Sequence, residues 1–317
     1  HRTYCSYADT IMPQFFFAVG FALRLTYLKR LEAVGWRGAT RAVIGRCAGL
    51  LLLGLIVHGL DGKVSSWAEL EALGVRGVLA QAFRREYFQT LVQIALATLW
   101  VLPVIARGPG VRAAYLAGSA VLYQGLSHWF YFDLAWNTPV IDGGWLGVIA
   151  WSIPLLAGTL AYDAVARRAE GTNPLPALAL GAIFLMTAGY LISGAGDWPA
   201  PPPFVMPPAT AKVTPWTMSQ RTASVSYLTF AAGFSLAVYA LFVVLVDGAD
   251  LRVGVFRTFG QNPLAAYLLH PMVASVVSRY CPSDSPLWYV LAAFAVYFGL
   301  CYLFIRYLEK NAIFLRL

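Results

Sequence analysis

Charge is what this 317-residue sequence has least of: only 12% of its residues are Asp, Glu, Lys or Arg, about half the ~25% that a water-soluble domain carries. With 59% hydrophobic residues and a strongly positive mean hydropathy, the chain is excluded from the ordinary soluble class and reads as a polytopic membrane protein. Cysteine is scarce as well. Cys5, Cys47, Cys281 and Cys301 are the only four, and they have none of the close spacings of a metal-binding knuckle, so no metal is expected. The short alternating segments of a membrane β-barrel are missing, and long apolar runs stand in their place, so the expected fold class is all-α, a helical bundle. No internal repeat is evident, which withdraws support from the inverted-repeat transporter folds. No methionine opens the chain and no secretory leader is visible, so the sequence reads as a piece lacking one or more upstream spans.

What the chain has in quantity is aromatic and basic. Ten Trp, 17 Tyr and 19 Phe fit the interfacial belts of a bundle. A net charge of +8 would suggest a nucleic-acid partner in a soluble protein, but here the basic residues gather in short loops between apolar runs, and nucleic acid is rejected. Runs of about 20 apolar residues, the length needed to cross a bilayer, fall at 9–27, 42–59, 87–106, 112–131, 144–163, 175–193, 224–246, 255–278 and 286–306. This predicts about nine spans in one transmembrane domain over 1–317. Gln124, Ser127, His128 and Asp133 in or beside the fourth run should face the bundle interior. Placing residue 1 outside puts most of the Lys and Arg, among them Arg24, Lys29, Arg30, Arg37, Arg41, Arg46, Arg167 and Arg168, in or beside inner loops, with a cytoplasmic C-terminus.

Two outer segments differ from plain connectors in composition. Residues 60–86 mix charge and apolar residues at near-helical spacing and are expected to lie along the membrane interface. Residues 194–222 include "DWPAPPPFVMPPATAKVTPW", where fixed φ and missing donors exclude a regular helix; this is an extended loop, either a lid over an outer cavity or a simple link. Cys5 and Cys281 both fall on the outer side, where an oxidising compartment could join them, although two free thiols are the expectation.

Three constellations can carry chemistry. His1 and Asp9 bracket the outer end of the first span; an imidazole titrating near pH 6.5 can take a proton from an attacking amine or hydroxyl, and the aspartate can orient it, or simply favour a helix start. "FGQNPLAAYLLHPMV" contains Asn262, Tyr267 and His270. Pro263 marks a helix start there with Asn262 as its cap, and positions 263, 267 and 270 share a helical face, which is either a packed contact or a cavity wall. "SHWFYFDLAWNTPVIDGGWLG" holds His128, Asp133, Trp136, Asn137 and Asp142, rings and carboxylates of the kind that stack on sugars and accept their hydroxyls, though aromatics also collect at interfaces without a ligand.

Taken together these stretches resemble the family of heparan-α-glucosaminide N-acetyltransferase and its bacterial relatives. "YADTIMPQFFFAVGFALRL" is similar to the family's stretch in Ala8, Asp9, Pro13, Val19 and Gly20, and "GQNPLAAYLLH" in Gly260, Asn262, Tyr267 and His270; "DGGWLGVIAWSIPLLAGTLAYD" and "SVSYLTFAAGFSLAVYALFVVLVD" also look like the bacterial branch. The resemblance implies a membrane acyltransferase, in a bacterial inner membrane, that moves an acetyl group from acetyl-CoA to an amino sugar or other glycan acceptor outside. It implies His1 as catalytic residue with Asp9, and substrate or coenzyme contacts at Asn262, Tyr267, His270, His128, Asp133 and Trp136. Acetyl-CoA is then a co-substrate and the bilayer a partner, and a homo-oligomer is compatible with the scheme. The basic stretch "RLTYLKRLEAVGWRGATR" is an attraction surface for coenzyme phosphates or only an orientation signal. The rivals are a carrier of sugar or lipid-linked substrate without acyl transfer, and a structural membrane protein.

Overall fold

The computed structural model describes residues 3–59, 66–82, 88–137, 141–166, 171–196, 198–208 and 210–315. Among them every regular element is helical: α1 (Ile11–Gly54), α2 (Trp67–Ala82), α3 (Thr90–Val101), α4 (Pro109–Leu126), α5 (Phe132–Asn137), α6 (Gly147–Ala166), α7 (Leu175–Ser193), α8 (Val225–Phe242), α9 (Gly254–Gln261), α10 (Pro263–Val277) and α11 (Leu287–Lys310). Each of the nine apolar runs contains helix. Five helical stretches are long and apolar enough to cross a membrane, Ala8–Val57, Gly147–Ala166, Leu175–Ser193, Val225–Gly248 and Leu287–Lys310. The protein is therefore an integral membrane bundle in its coarse architecture.

The first of these stretches holds two of the nine runs. At Gly35 the backbone takes φ 71 and ψ 175, a conformation open to glycine and closed to residues with a Cβ. Beyond it the Tyr27 hydroxyl meets Thr40 Oγ1 at 3.1 Å, whereas 13 residues of straight helix would separate their Cα atoms by about 20 Å. The chain turns sharply at Gly35.

The chain divides into two compact units, residues 1–244 and 245–317, each described by itself. In the first, α6 is the central helix, flanked by α1, α3, α4 and α8, and α7 packs on α8. Its sequence, apolar on every side, explains this placement: a helix without a polar face is stable when enclosed, and Trp151, Ile153, Leu155 and Leu156 are fully buried. α1 and α6 run the same way, Phe16 lying on Trp151 with ring centroids 4.7 Å apart and Arg24 further along reaching Asp163 at 3.0 Å. Between these points the helices touch backbone to backbone. A Cβ on Gly158 would lie 2.0 Å from the Phe17 carbonyl oxygen, and one on Gly20 1.9 Å from that of Leu155. Small residues at the crossing are what lets membrane helices approach so closely.

α8 begins at Ser224, whose hydroxyl accepts from the Tyr227 amide at 3.4 Å and from the Ser219 amide at 3.0 Å. The cap ties the preceding loop to the helix. Ser224→Ala is expected to cost about 1 kcal/mol, the usual value of an N-cap, read as a small drop in melting temperature of the detergent-purified protein.

Residues 60–65 and 83–87 of the expected interfacial segment lie outside the described residues, as do Arg167 and Arg168. Between the first two, α2 is helical, with a bend at Gly74 (φ 57, ψ 178). The described residues between 198 and 222 contain no helix, as the prolines require. Phe204 fastens this loop: its amide donates to the Cys5 carbonyl at 2.8 Å, and its ring packs on Phe230 and Phe234, each 5.7 Å away.

The second unit is built from α9, α10 and α11 around Ala265, Ile305 and Leu308, with Phe259, Ala266 and Leu269 packed against them. Asn262 stands at the N-cap of α10 as its position before Pro263 predicts, yet its side chain makes no capping bond. Its Nδ2 donates to the Ile313 carbonyl at 2.9 Å, and its Oδ1 accepts from the Leu315 amide at 3.1 Å. The asparagine clasps the segment 313–315 that follows α11.

Candidate functional site

Polar side chains of the first unit collect where α1, α3, α6 and α8 begin. Asp9 sits in the turn leading into α1, 5% exposed. Its Oδ2 accepts from the Ser6 amide and hydroxyl, both at 2.8 Å, and the Asp9 amide donates back to Ser6 Oγ at 3.4 Å. This reciprocal pairing fixes the helix start. The Asp9 carbonyl receives the Tyr227 hydroxyl at 2.6 Å, joining α1 to α8. His1, expected beside Asp9, lies outside the described residues.

Next to this turn is the segment that enters α6. Asp142, Gly143 and Gly144 adopt φ of 52, 77 and 58 in succession, a left-handed run that aspartate tolerates better than most side chains. The turn is gripped from several directions. The Asp142 carbonyl accepts from Trp151 Nε1 at 2.8 Å, the Gly144 carbonyl from Gln93 Nε2 at 2.7 Å, and the Gly143 carbonyl from the Tyr131 hydroxyl at 2.5 Å. The loop before α8 docks on it too: the Gly143 amide donates to the Arg221 carbonyl at 2.9 Å, and Asp142 Oδ1 accepts from Gln220 Nε2 at 3.1 Å. Burial raises the Asp142 carboxyl from the usual carboxylate range to about 6, with Asp9 nearby adding to the effect and the Gln220 bond opposing it. Burial also pushes the Cys5 thiol up to about 12, so it is protonated and a poor nucleophile. All four cysteines are free thiols.

The proline-rich loop roofs a cavity of about 240 Å³ in this region, lined by Thr3 and Tyr4, by Ser193 at the end of α7, and by residues of the loop from Pro199 to Met218. Among the described residues of that lining Lys212 is the one charged side chain. The same loop gathers two of the expected contacts. His128, exposed on a wide helical turn after α4, lies 4.7 Å from Trp216 between ring centroids. Trp136 stacks on Phe132 at 6.0 Å, carries the Arg221 guanidinium 5.8 Å above its ring, and accepts from Arg221 Nη2 at its carbonyl, 2.7 Å away. Asp133 is exposed on α5. Asp9, His128 and Trp136 thus border the loop or the segments it touches, whereas Asn262, Tyr267 and His270 belong to the second unit. There the rings of Tyr267 and His270 meet at 5.5 Å, as their spacing on one face predicts.

A second polar cluster was not expected. At the other end of α6, Asp163 binds Arg24 Nε at 3.0 Å and Arg112 Nη2 through its other oxygen. Arg24 also donates to the Ile105 carbonyl and Arg112 Nε to that of Arg107 at 3.1 Å. Arg112 is fully buried. Arg24, anticipated in or beside an inner loop, is an internal ion-pair partner. Lone ionisable residues in apolar runs, here Arg24 and Asp163, are the sequence signal for such a cluster, as lone Gln93 in "TLVQIALATLW" is for the first. Among the described residues no group of three or more His, Cys, Asp or Glu is placed to hold a metal ion.

No protein-family model matches the chain, and no curated protein sequence matches it.

Proposed function

We propose that this protein is a membrane acyltransferase that moves an acetyl group from acetyl-CoA to an amino sugar or other glycan acceptor, working at the end of the bundle where α1, α6 and α8 begin. The observation that carries the proposal is the roofed cavity lined by Thr3 and Tyr4, which stand in the sequence between His1 and buried Asp9. The topology that goes with it has about nine spans, residue 1 on the outer side of a bacterial inner membrane, and the C-terminus in the cytoplasm. The quoted sequence motifs supply the acetyl-CoA assignment, and Asn262, Tyr267 and His270 enter it only through them.

Acetyl transfer forms a bond from the acceptor nitrogen or oxygen to the acetyl carbon and breaks the carbon–sulfur bond of the thioester. The proton leaving the acceptor must be taken up, and coenzyme A leaves as a thiolate that gains one. An imidazole at His1 performs both moves as a general base, or carries the acetyl group in transit. Asp9 steadies the chain on which the histidine sits. His128 and Trp136, with exposed Asp133, offer ring faces and an acceptor to a sugar.

Binding and hydrolysis of radiolabelled acetyl-CoA by the detergent-purified full-length protein, wild type beside His1→Ala, tests this. Binding in both with loss of hydrolysis in the variant is the expected outcome; hydrolysis unchanged by His1→Ala removes His1 from the chemistry, and no binding in either protein removes the acyltransferase. A carrier is the second reading, favoured by the buried Arg24–Asp163–Arg112 network, since ionisable groups inside membrane helices often mark transport routes. Uptake of labelled sugar by proteoliposomes without acetyl-CoA turnover would replace the first reading by this one.

A further inference from the structure

The basic stretch that closes the first apolar run has no part in the proposed reaction. Lys29, Arg30, Arg37 and Arg41 are exposed there, as is the one acid, Glu32. None of the five forms an ion pair or a side-chain hydrogen bond among the described residues. The charge is therefore uncompensated, four cations standing against one carboxylate.

The fold turns this run into a surface. Gly35 reverses the chain, and Lys29 stands six positions before it and Arg41 six after, so the two arms of the hairpin bring distant cations to one height. The Tyr27–Thr40 contact at 3.1 Å holds the arms together. Depth follows from the neighbouring helix. α1 and α6 run the same way with Arg24 bound to Asp163, and α6 ends at Ala166, about 4.5 Å beyond that bond. Lys29 and Arg30 lie about 7–9 Å beyond it on α1. The 20 residues of α6 match the hydrocarbon layer in length, so the two cations stand about 3–5 Å past its edge, within the polar layer of about 5–7 Å that holds lipid headgroups.

At the tip, Val34 and Trp36 are each 62% exposed, and the Arg37 guanidinium lies 5.6 Å from the centre of the Trp36 ring. Tryptophan among cations suits a bilayer surface, whereas a free inorganic anion has nothing to offer Val34 and Trp36. An orientation signal requires only that basic residues be numerous beside a span, not that they be matched in height across a turn. We infer that the 29–41 hairpin is a docking surface for anionic lipid, with Lys29, Arg30 and Arg41 holding the headgroup phosphates and the Val34–Trp36 tip resting among the headgroups. The inference stands apart from acetyl transfer and holds for whichever leaflet the hairpin meets.

Native mass spectrometry of the detergent-purified full chain tests it, with phosphatidylglycerol and phosphatidylcholine of identical acyl chains as probes. Wild type should bind phosphatidylglycerol about tenfold or more tightly than phosphatidylcholine. Each cation near an anionic lipid surface is worth about fivefold in affinity, so Lys29→Gln, Arg30→Gln and Arg41→Gln together should remove that preference. Arg76→Gln, Arg252→Gln and Arg279→Gln together take the same charge from exposed positions elsewhere and should leave it intact. Arg41→Gln alone, with a loss of about fivefold, decides the question if the hairpin triple variant does not accumulate. Equal binding of the two lipids by wild type, an equal loss in both triple variants, a preference that survives without the hairpin cations, or displacement of phosphatidylglycerol by equimolar coenzyme A, which would give the surface to the coenzyme, overturns the inference.

Discussion

Asp163→Ala is expected to lower the stability of the detergent-purified protein by about 3–5 kcal/mol, the cost of stranding buried charge by removing one partner of an ion pair. Asp163 holds two guanidiniums, those of Arg24 and Arg112. Their side chains are 9% and 0% exposed, so neither can turn to water without breaking the helix contacts around it. Arg112→Met should be milder, because Asp163 keeps Arg24. Replacing all three by apolar side chains of similar size, Arg24→Met, Arg112→Met and Asp163→Leu together, should recover most of the loss, since the desolvation of the charges disappears with their attraction. Thermal unfolding of the four proteins checks the pattern. Additive losses, with the triple variant weakest, would mean that the network gives net stability and not only mutual neutralisation.

Gly158→Val should prevent accumulation of folded protein altogether. Overpacking a core usually costs about 1–3 kcal/mol because neighbouring side chains can shift, but the atom in the way here is a backbone oxygen. With only 2.0 Å between a Cβ and the Phe17 carbonyl, α1 and α6 must separate, and the burial of Phe16, Phe17, Trp151 and Leu155 depends on their contact. Gly118→Ala on α4 is the control, because nothing lies within 4 Å of its Cβ position. That change should be neutral or stabilising by up to about 1 kcal/mol, the helix-propensity difference between the two residues. Yield and monodispersity after detergent extraction distinguish the cases, and folded Gly158→Val at wild-type yield would show that the crossing can slide.

The helices were readable because a bilayer leaves few choices: an apolar run must satisfy its own backbone, and helix is the local way to do it. The lack of helix among the described residues of 198–222 was readable for the converse reason, since proline supplies no donor. Tyr267 and His270 meet as their spacing says they should. Asn262 shows where local inference stops. Its place before Pro263 predicts the helix start, but the partners of its amide are backbone groups at 313 and 315, some 50 residues away and carrying no side-chain signature.

The candidate site divides in the same manner. Asp9 was visible because a carboxylate before an apolar run is costly without a purpose. Asp142 was visible only as one acid in an aromatic cluster, and its burial, its left-handed backbone and its hold on Gln220 come from segments separated by 78 positions. Nothing near Gln93 or Gln220 in the sequence indicates that both reach the 142–144 turn.

By itself, then, the sequence determined that this is an all-helical membrane protein, where its helices run, and that a proline-rich loop interrupts them, because each of those features is a demand of the chain's own backbone on its solvent. Tertiary structure alone decided which charges neutralise one another inside, that α6 lies at the centre of the first unit, and that the loop roofs a cavity and is fastened to Asp142. Those outcomes depend on side chains meeting carbonyls and glycines of distant helices, where contact is made in space and leaves no period or spacing to read.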